Sequence, residues 1–392
     1  MTKTDRLSPK RLDAVEAYVR ALVETGALPH AQFLAARDGE VLHAFHTGKA
    51  RADGRLLCHD SLYRIASMTK PVTTLLFLML VEEGRVALDD CVASVLPELA
   101  DLQVFTGGTM GRLTSRPASR QPTMLDLLRH TSGFTYGIQQ HDAVDQAYWR
   151  AGIHNFRASL TRDGVLADLA ALPLAHDPGA RFTYGFGIDL IGLIAERLTG
   201  RSLGDLFAER VFVPLGMADT GFAPRPDQMP RLTDAWADHP RQGRYVYDTA
   251  EASLWARPST FESGGGGLLS TVADYHRFCR MMLGEGAPLL KPETLALMTR
   301  NHLPGGGSIG ALSVSKFSGP DYERMGQGLG LAVALPGGDD KGWPVGTATW
   351  SGLFSSWFSI VPQERLVLIF MTQLLPLVED RLIDRVHRML LA

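Results

Sequence analysis

Ser67-Met68-Thr69-Lys70 sets a hydroxyl and an amine three residues apart at the head of a strongly apolar stretch. On a helix, residues three apart share a face, with Cβ atoms roughly 5–6 Å apart. A serine hydroxyl is a weak nucleophile until a base stands beside it. A lysine at the foot of an apolar helix is partly desolvated, which lowers its pKa and lets it accept a proton. Ser67 would also lie in the first helical turn, where backbone N–H groups lack an intrahelical acceptor. One four-residue stretch can therefore supply a nucleophile, a base and one donor to a developing oxyanion. The bland alternative is a Ser-x-x-Lys on an ordinary surface helix. The run from Pro71 to Val81, apolar almost all round, argues for burial instead.

Other chemistry-bearing patterns are weaker. Gly306-Gly307-Ser308-Ile309-Gly310 fits G-x-S-x-G, but that nucleophile elbow needs a strand before the serine and a helix after it. Here a glycine-rich loop from Pro304 precedes it, so Ser308 is not expected to be the nucleophile. No phosphate-binding G-x-x-x-x-G-K-[ST] occurs, no G-x-G-x-x-G follows a strand, and the 12 histidines contain no H-E-x-x-H. His130 and His141 are expected to be structural, and no metal or organic cofactor is expected. Cys58, Cys91 and Cys279 stand far apart and are odd in number, which excludes a disulfide framework and a cysteine-based zinc site.

The elements that must carry these residues follow from periodicity. Leu12, Val15, Val19, Leu22 and Val23 predict a helix over 8–25, and Arg37-Asp38-Gly39 predicts the turn of a hairpin over 31–48. A buried helix is expected over 66–85. From 86 to 260 the chain reads as helices and long loops, with helices at 124–130, 187–198 and 203–211 and a loop over 225–257. After the glycine run 263–267 comes a helix over 270–282. Strand-length apolar segments follow at 328–335, 347–350, 357–361 and 366–372, with a turn at Pro362-Gln363-Glu364-Arg365, and then a last helix over 378–391. This order predicts an α+β protein. One part, residues 1–65 and 261–392, carries an antiparallel sheet flanked by helices. A mostly helical second lobe spans 66–260, with the active site between the two.

Composition narrows the function classes. The chain has 392 residues, 45% apolar and 21% charged, which excludes a disordered protein. A net charge of −3, with no run of Lys or Arg longer than two, excludes an electrostatic nucleic-acid binder and favours a small-molecule partner. The longest apolar run falls short of the ~18 residues of a membrane span. No signal-peptide pattern opens the sequence, so the expectation is a cytoplasmic protein. No feature sets an oligomeric state.

With these motifs in order, the sequence resembles the serine β-lactamase and penicillin-binding-protein superfamily, and within it the class C β-lactamase-like carboxylesterases called family VIII esterases. The resemblance runs from about residue 30 to 375. It implies a β-lactamase-like fold and an acyl-enzyme on Ser67. Tyr184, in Phe182-Thr-Tyr-Gly-Phe-Gly187, matches the tyrosine of the family's Tyr-x-Asn. A phenol beside a cationic lysine can take the proton of Ser67 and return it to the leaving group. Phe186 stands where the lactamases have an asparagine that recognises a substrate amide, so the resemblance turns from lactams toward an apolar acyl pocket. Trp350-Ser351-Gly352 stands where they have Lys-Thr-Gly, as in family VIII esterases. That removes a cation for an anionic substrate and leaves an apolar face. By the same comparison the Leu353 N–H is the second oxyanion donor beside that of Ser67. Leu127–Gly133 and Gly266–Thr271 also resemble the family and are expected to be structural, with Tyr136 walling the site.

The implied function is a serine hydrolase of short-chain carboxylic esters, with Lys70 and Tyr184 managing the protons. A β-lactamase, D-amino-acid peptidase or acyltransferase of the same superfamily is the alternative. A non-catalytic scaffold with this fold is the alternative of another class, disfavoured by intact Ser67, Lys70 and Tyr184.

Overall fold

The computed structural model describes residues 6–109, 111–139, 142–153, 160–257, 260–313, 322–337, 342–376 and 379–392. Its centre is a seven-stranded antiparallel sheet. The strands are β1 (His30–Arg37), β2 (Glu40–Gly48), β3 (Met325–Gln327), β4 (Ala332–Ala334), β5 (Ala348–Ser351), β6 (Trp357–Val361) and β7 (Leu366–Met371), in the spatial order β2-β1-β7-β6-β5-β4-β3. The β1–β2 hairpin turns at Asp38 and Gly39, both at positive φ (52° and 79°), the backbone that a two-residue hairpin requires. The chain ends meet in the middle of the sheet, where Phe33 of β1 pairs with Phe370 of β7.

Both faces of the sheet are covered, and the strand period shows how. Trp357 and Phe358 are neighbours on β6 and so point to opposite faces. Trp357 packs on His387 of the C-terminal helix α5 (Glu379–Leu391), which lies beside α1 (Pro9–Glu24). Phe358 packs on Tyr275 of α4 (Val272–Met282). Strands β6 and β7 are buried at every position, which is why they read as apolar runs rather than as alternation.

Helix α2 (Thr69–Glu82) is buried along most of its length and packs on α3 (Gly187–Thr199). Pro71 sits in its first turn, where the missing N–H leaves no acceptor unsatisfied. The periodicity-based elements thus recur within one to five residues of their expected ends. Two regions differ. Residues 225–257, expected as loop, contain strands at Ala235–His239 and Gly243–Asp248. The first of these also pairs, in parallel, with Leu374–Leu375. The 86–260 stretch also holds a hairpin, Gln103–Thr109 with Arg112–Pro117. Both hairpins are short, and Gly107 and Gly108 interrupt the Gln103–Thr109 strand, so no clear alternation marks them. Residues 203–211 are helical only to Phe207 and continue as a wider π turn over Ala208–Phe212. Among the described residues no helix is long and apolar enough to cross a membrane.

Candidate active site

Ser67 sits on a tight turn between a strand and a helix. The short strand Tyr63–Arg64 pairs with Leu269–Ser270, and Ala66–Met68 forms one 3-10 turn that runs into α2. Ala66 adopts φ 44°, unusual for a residue with a Cβ, and such backbone costs on the order of 1–3 kcal/mol. The surroundings hold it there. Met68 N–H donates to the Ile65 carbonyl (3.0 Å), and the Tyr275 hydroxyl donates to the Met68 carbonyl (2.9 Å). Arg64, fully buried, anchors the strand by donating to Asp248 (2.7 Å from Nε), the Thr233 carbonyl (2.7 Å) and Ser253 Oγ (3.0 Å). Ser67 itself remains half-buried, and its N–H meets no acceptor among the described residues.

Three side chains converge. Lys70 Nζ donates to Ser67 Oγ at 3.2 Å, and the Tyr184 hydroxyl donates to the same oxygen at 2.6 Å. Lys70 Nζ also lies 4.7 Å from the centre of the Tyr184 ring. Lys70 is completely buried, and burial pulls its pKa down to about 7, with the Asp189 carboxylate acting in the opposite sense. An amine that titrates near neutrality, touching a hydroxyl that a phenol also touches, can take a proton from that hydroxyl and return it.

The end of β5 closes on the same turn. A Cβ on Gly352 would collide with the Ile65 carbonyl, so only glycine lets this strand end approach the residues before Ser67. Beyond it, Gly352 N–H donates to the Ser356 carbonyl (2.7 Å) and Ser355 N–H to the Gly352 carbonyl (3.0 Å). That turn leaves the Leu353 N–H without a protein acceptor among the described residues, with its side chain 41% exposed. Ser351 is half-buried at the end of the strand.

Aromatic rings back the trio. Trp350 is tilted against Tyr184 (centroids 5.7 Å apart) and stacks on His130 (6.2 Å). Tyr136 meets Tyr184 edge-on at 5.2 Å, and Phe186 meets Tyr136 edge-on at 4.6 Å. Phe186 is fully buried, so it sits behind Tyr136 and shapes the wall from beneath. His130, expected to be structural, is buried against Tyr184 and Phe182, and neither ring nitrogen has a hydrogen-bond partner among the described residues. Burial and the Lys70 charge hold it well below the ordinary histidine pKa, so it is neutral. His141 lies outside the described residues.

Sequence reasoning did not foresee a second layer around Lys70. Its Nζ donates to the Gly265 carbonyl at 2.6 Å, inside the glycine run that reads as a mere chain break. Asp189 of α3 is buried and accepts from the Gly265 N–H (3.0 Å), the Tyr136 hydroxyl (2.6 Å) and the Ser263 hydroxyl. The signal was present: Asp189 is a lone acid in the apolar run Gly187–Ala195. Ser308, by contrast, is a helix cap whose Oγ accepts from the Ala311 N–H at 3.1 Å. Among the described residues no three His, Cys, Asp or Glu side chains gather as a metal site, and all three cysteines are free thiols.

The fold is that of a known superfamily. The beta-lactamase family profile matches residues 15–392, and the chain belongs to that family. It is 32% identical over 314 residues to Lovastatin esterase of Penicillium rubens, covering 76% of each chain. It is 30% identical over 355 residues to Acyltransferase mokF of Monascus pilosus, covering 86% of this chain and 84% of that protein. The unliganded structure of Simvastatin Synthase (LovD) from Aspergillus terreus superposes with a TM-score of 0.83 at 26% identity, over 98% of both chains. The chain is thus a member of a serine-hydrolase superfamily whose relatives include esterases and acyltransferases, with the β-lactamase-like fold and the class C-like esterase affinity that its motifs resemble.

Proposed function

We propose that this protein hydrolyses carboxylic esters, with a preference for short acyl chains, through an acyl-enzyme on Ser67. The observation that carries the reading is Ser67 Oγ held between Lys70 Nζ (3.2 Å) and the Tyr184 hydroxyl (2.6 Å), with Lys70 buried and titrating near neutrality. Ser67 Oγ attacks the ester carbonyl carbon and its proton passes to the Lys70–Tyr184 pair, which titrates as one coupled unit. The tetrahedral oxyanion lies against the Ser67 and Leu353 N–H groups, each worth on the order of 10²–10³ in rate. The bond to the alcohol breaks, and the alcohol leaves with the proton held by the pair. Water then repeats the sequence on the acyl-enzyme, and the acid departs. Nucleophile, base and phenol come from residues 66–260, while the Gly265 carbonyl and the 350–353 strand end come from 261–392. This supports a cleft between those two parts. Trp350 and Phe186, in place of a cation and an amide, favour an uncharged acyl group over a β-lactam.

The test is hydrolysis of p-nitrophenyl esters from acetate to laurate by wild type and Ser67→Ala. Turnover that peaks at short chains and falls at least ~10³-fold in Ser67→Ala supports the reading. Turnover that survives in Ser67→Ala sinks it. Acyl transfer to an alcohol is the same chemistry with a different second nucleophile, and the similarity to Acyltransferase mokF favours it as the second reading. Adding an alcohol acceptor and measuring new ester against free acid separates the two.

A further inference from the structure

We propose that Asp189 is a positioning residue that sets both the orientation and the proton affinity of Lys70 by fixing the backbone of Gly265. This rests on Lys70 being the base-side partner of Ser67, as proposed above.

The Gly265 backbone is held on both sides of its Cα. Its N–H donates to Asp189 Oδ1 at 3.0 Å, and its carbonyl accepts from Lys70 Nζ at 2.6 Å. Asp189 cannot swing away, because the Tyr136 hydroxyl (2.6 Å) and the Ser263 hydroxyl also donate to it. The peptide group that carries this N–H is tied at its other end as well: Thr73 Oγ1 of α2 donates to the Gly264 carbonyl at 2.6 Å. A Cβ on Gly265 would overlap both the Asp189 carboxylate and the Tyr136 hydroxyl, so glycine is the residue that permits this closure. Carboxylate, Gly265 backbone, ammonium and serine are therefore linked in order, with hydrogen bonds on either side of the Gly265 Cα.

The charges around Lys70 give the sign. On its own helix its neighbour is the neutral Ser67 hydroxyl. The 182–187 segment presents Tyr184, and the 130–136 segment presents Tyr136 (ring centre 5.1 Å from Nζ) and neutral His130. Helix α3 presents the carboxylate of Asp189, which raises the pKa of Lys70 against the larger lowering by burial. Without Asp189 the amine would give up its proton at lower pH still. With it, the amine stays close to neutrality, where a group can both accept and return a proton.

Two readouts test this. The first is direct titration of Lys70 by NMR of ¹³Cε-labelled lysine, feasible in a chain with seven lysines and assigned through Lys70→Arg. It needs no turnover, so it stays informative if the esterase reading fails. The second is the pH profile of kcat and kcat/KM on p-nitrophenyl acetate. In Asp189→Asn the Lys70 midpoint is expected to fall by on the order of one pH unit. The acid limb of the rate should move with it, and the loss should appear in kcat rather than KM. In Ser263→Ala the carboxylate remains but its clamp is loosened. Here kcat is expected to drop ~10-fold with the acid limb in place. A Lys70 midpoint unchanged in Asp189→Asn overturns the proposal. If Asp189→Asn does not fold, a wild-type kcat in Ser263→Ala overturns it. A shifted NMR midpoint in a protein without Ser67-dependent turnover would keep Asp189 in its role and retire the esterase reading instead.

Discussion

In the proposed mechanism Lys70 carries the burden of the site. A lysine with an ordinary pKa of 10.5 is a cation at neutral pH and cannot accept a proton from serine; complete burial brings it down to about 7. The sign of the pH dependence follows. The base form is the neutral amine, so kcat/KM is expected to rise with pH through about 7 and level above it, as a pH–rate profile will show. Lys70→Arg should abolish that limb and cost 10²–10⁴ in rate, because a guanidinium does not deprotonate. Tyr184→Phe keeps the ring against Trp350 and removes the hydroxyl 2.6 Å from Ser67 Oγ. The expected loss is ~10²-fold or more in kcat on p-nitrophenyl acetate, with KM little changed.

At the scale of elements, what matters is how a strand end and a turn come close enough to share one substrate atom. Gly352 lies against the Ile65 carbonyl. Gly352→Ala would push the end of β5 away from Ser67 and misplace the Leu353 N–H. We expect kcat to fall by about 10²-fold, since one misplaced oxyanion donor costs that order, while circular dichroism stays native. The buried Arg64–Asp248 pair anchors the other side of the turn, tying the residues before Ser67 to the strand Gly243–Asp248. Removing one partner of a buried pair leaves the other's charge uncompensated, so Asp248→Ala should destabilise by about 3 kcal/mol or more, read by urea denaturation.

For the whole molecule, the site is a cost to stability. The folded protein releases the Lys70 proton near pH 7, whereas the unfolded chain holds it to about 10.5. Between those values the unfolded state binds more protons, so stability attributable to Lys70 rises with pH across the window. Below about 7 the full penalty of a buried ammonium is present. Lys70→Met should therefore raise the thermal midpoint at pH 6, by the equivalent of a few kcal/mol, and raise it less near pH 10. Calorimetry at the two pH values checks this. A gain equal at both would mean that packing, not charge, is responsible.

Local order was legible in the residues themselves. The helix over 8–25, the Asp-Gly hairpin, the buried helix behind Ser67 and the strands at 357–361 and 366–372 follow from period and turn chemistry, which act between near neighbours. So did Ser67 and Lys70, because one helical turn brings them together. Tyr184 and Trp350 could be named only through resemblance, since nothing local ties a loop tyrosine to a serine far away in the chain. The Gly265 carbonyl and the setting of His130 were not legible at all, and Asp189 showed only as a lone acid in an apolar run. Each acquires its role from contact with residues tens or hundreds of positions distant, and a backbone carbonyl has no sequence signature. The sequence by itself determined which groups could do chemistry. The tertiary structure decided which of them are desolvated and touching, and desolvation is what brings a lysine's pKa down toward neutrality.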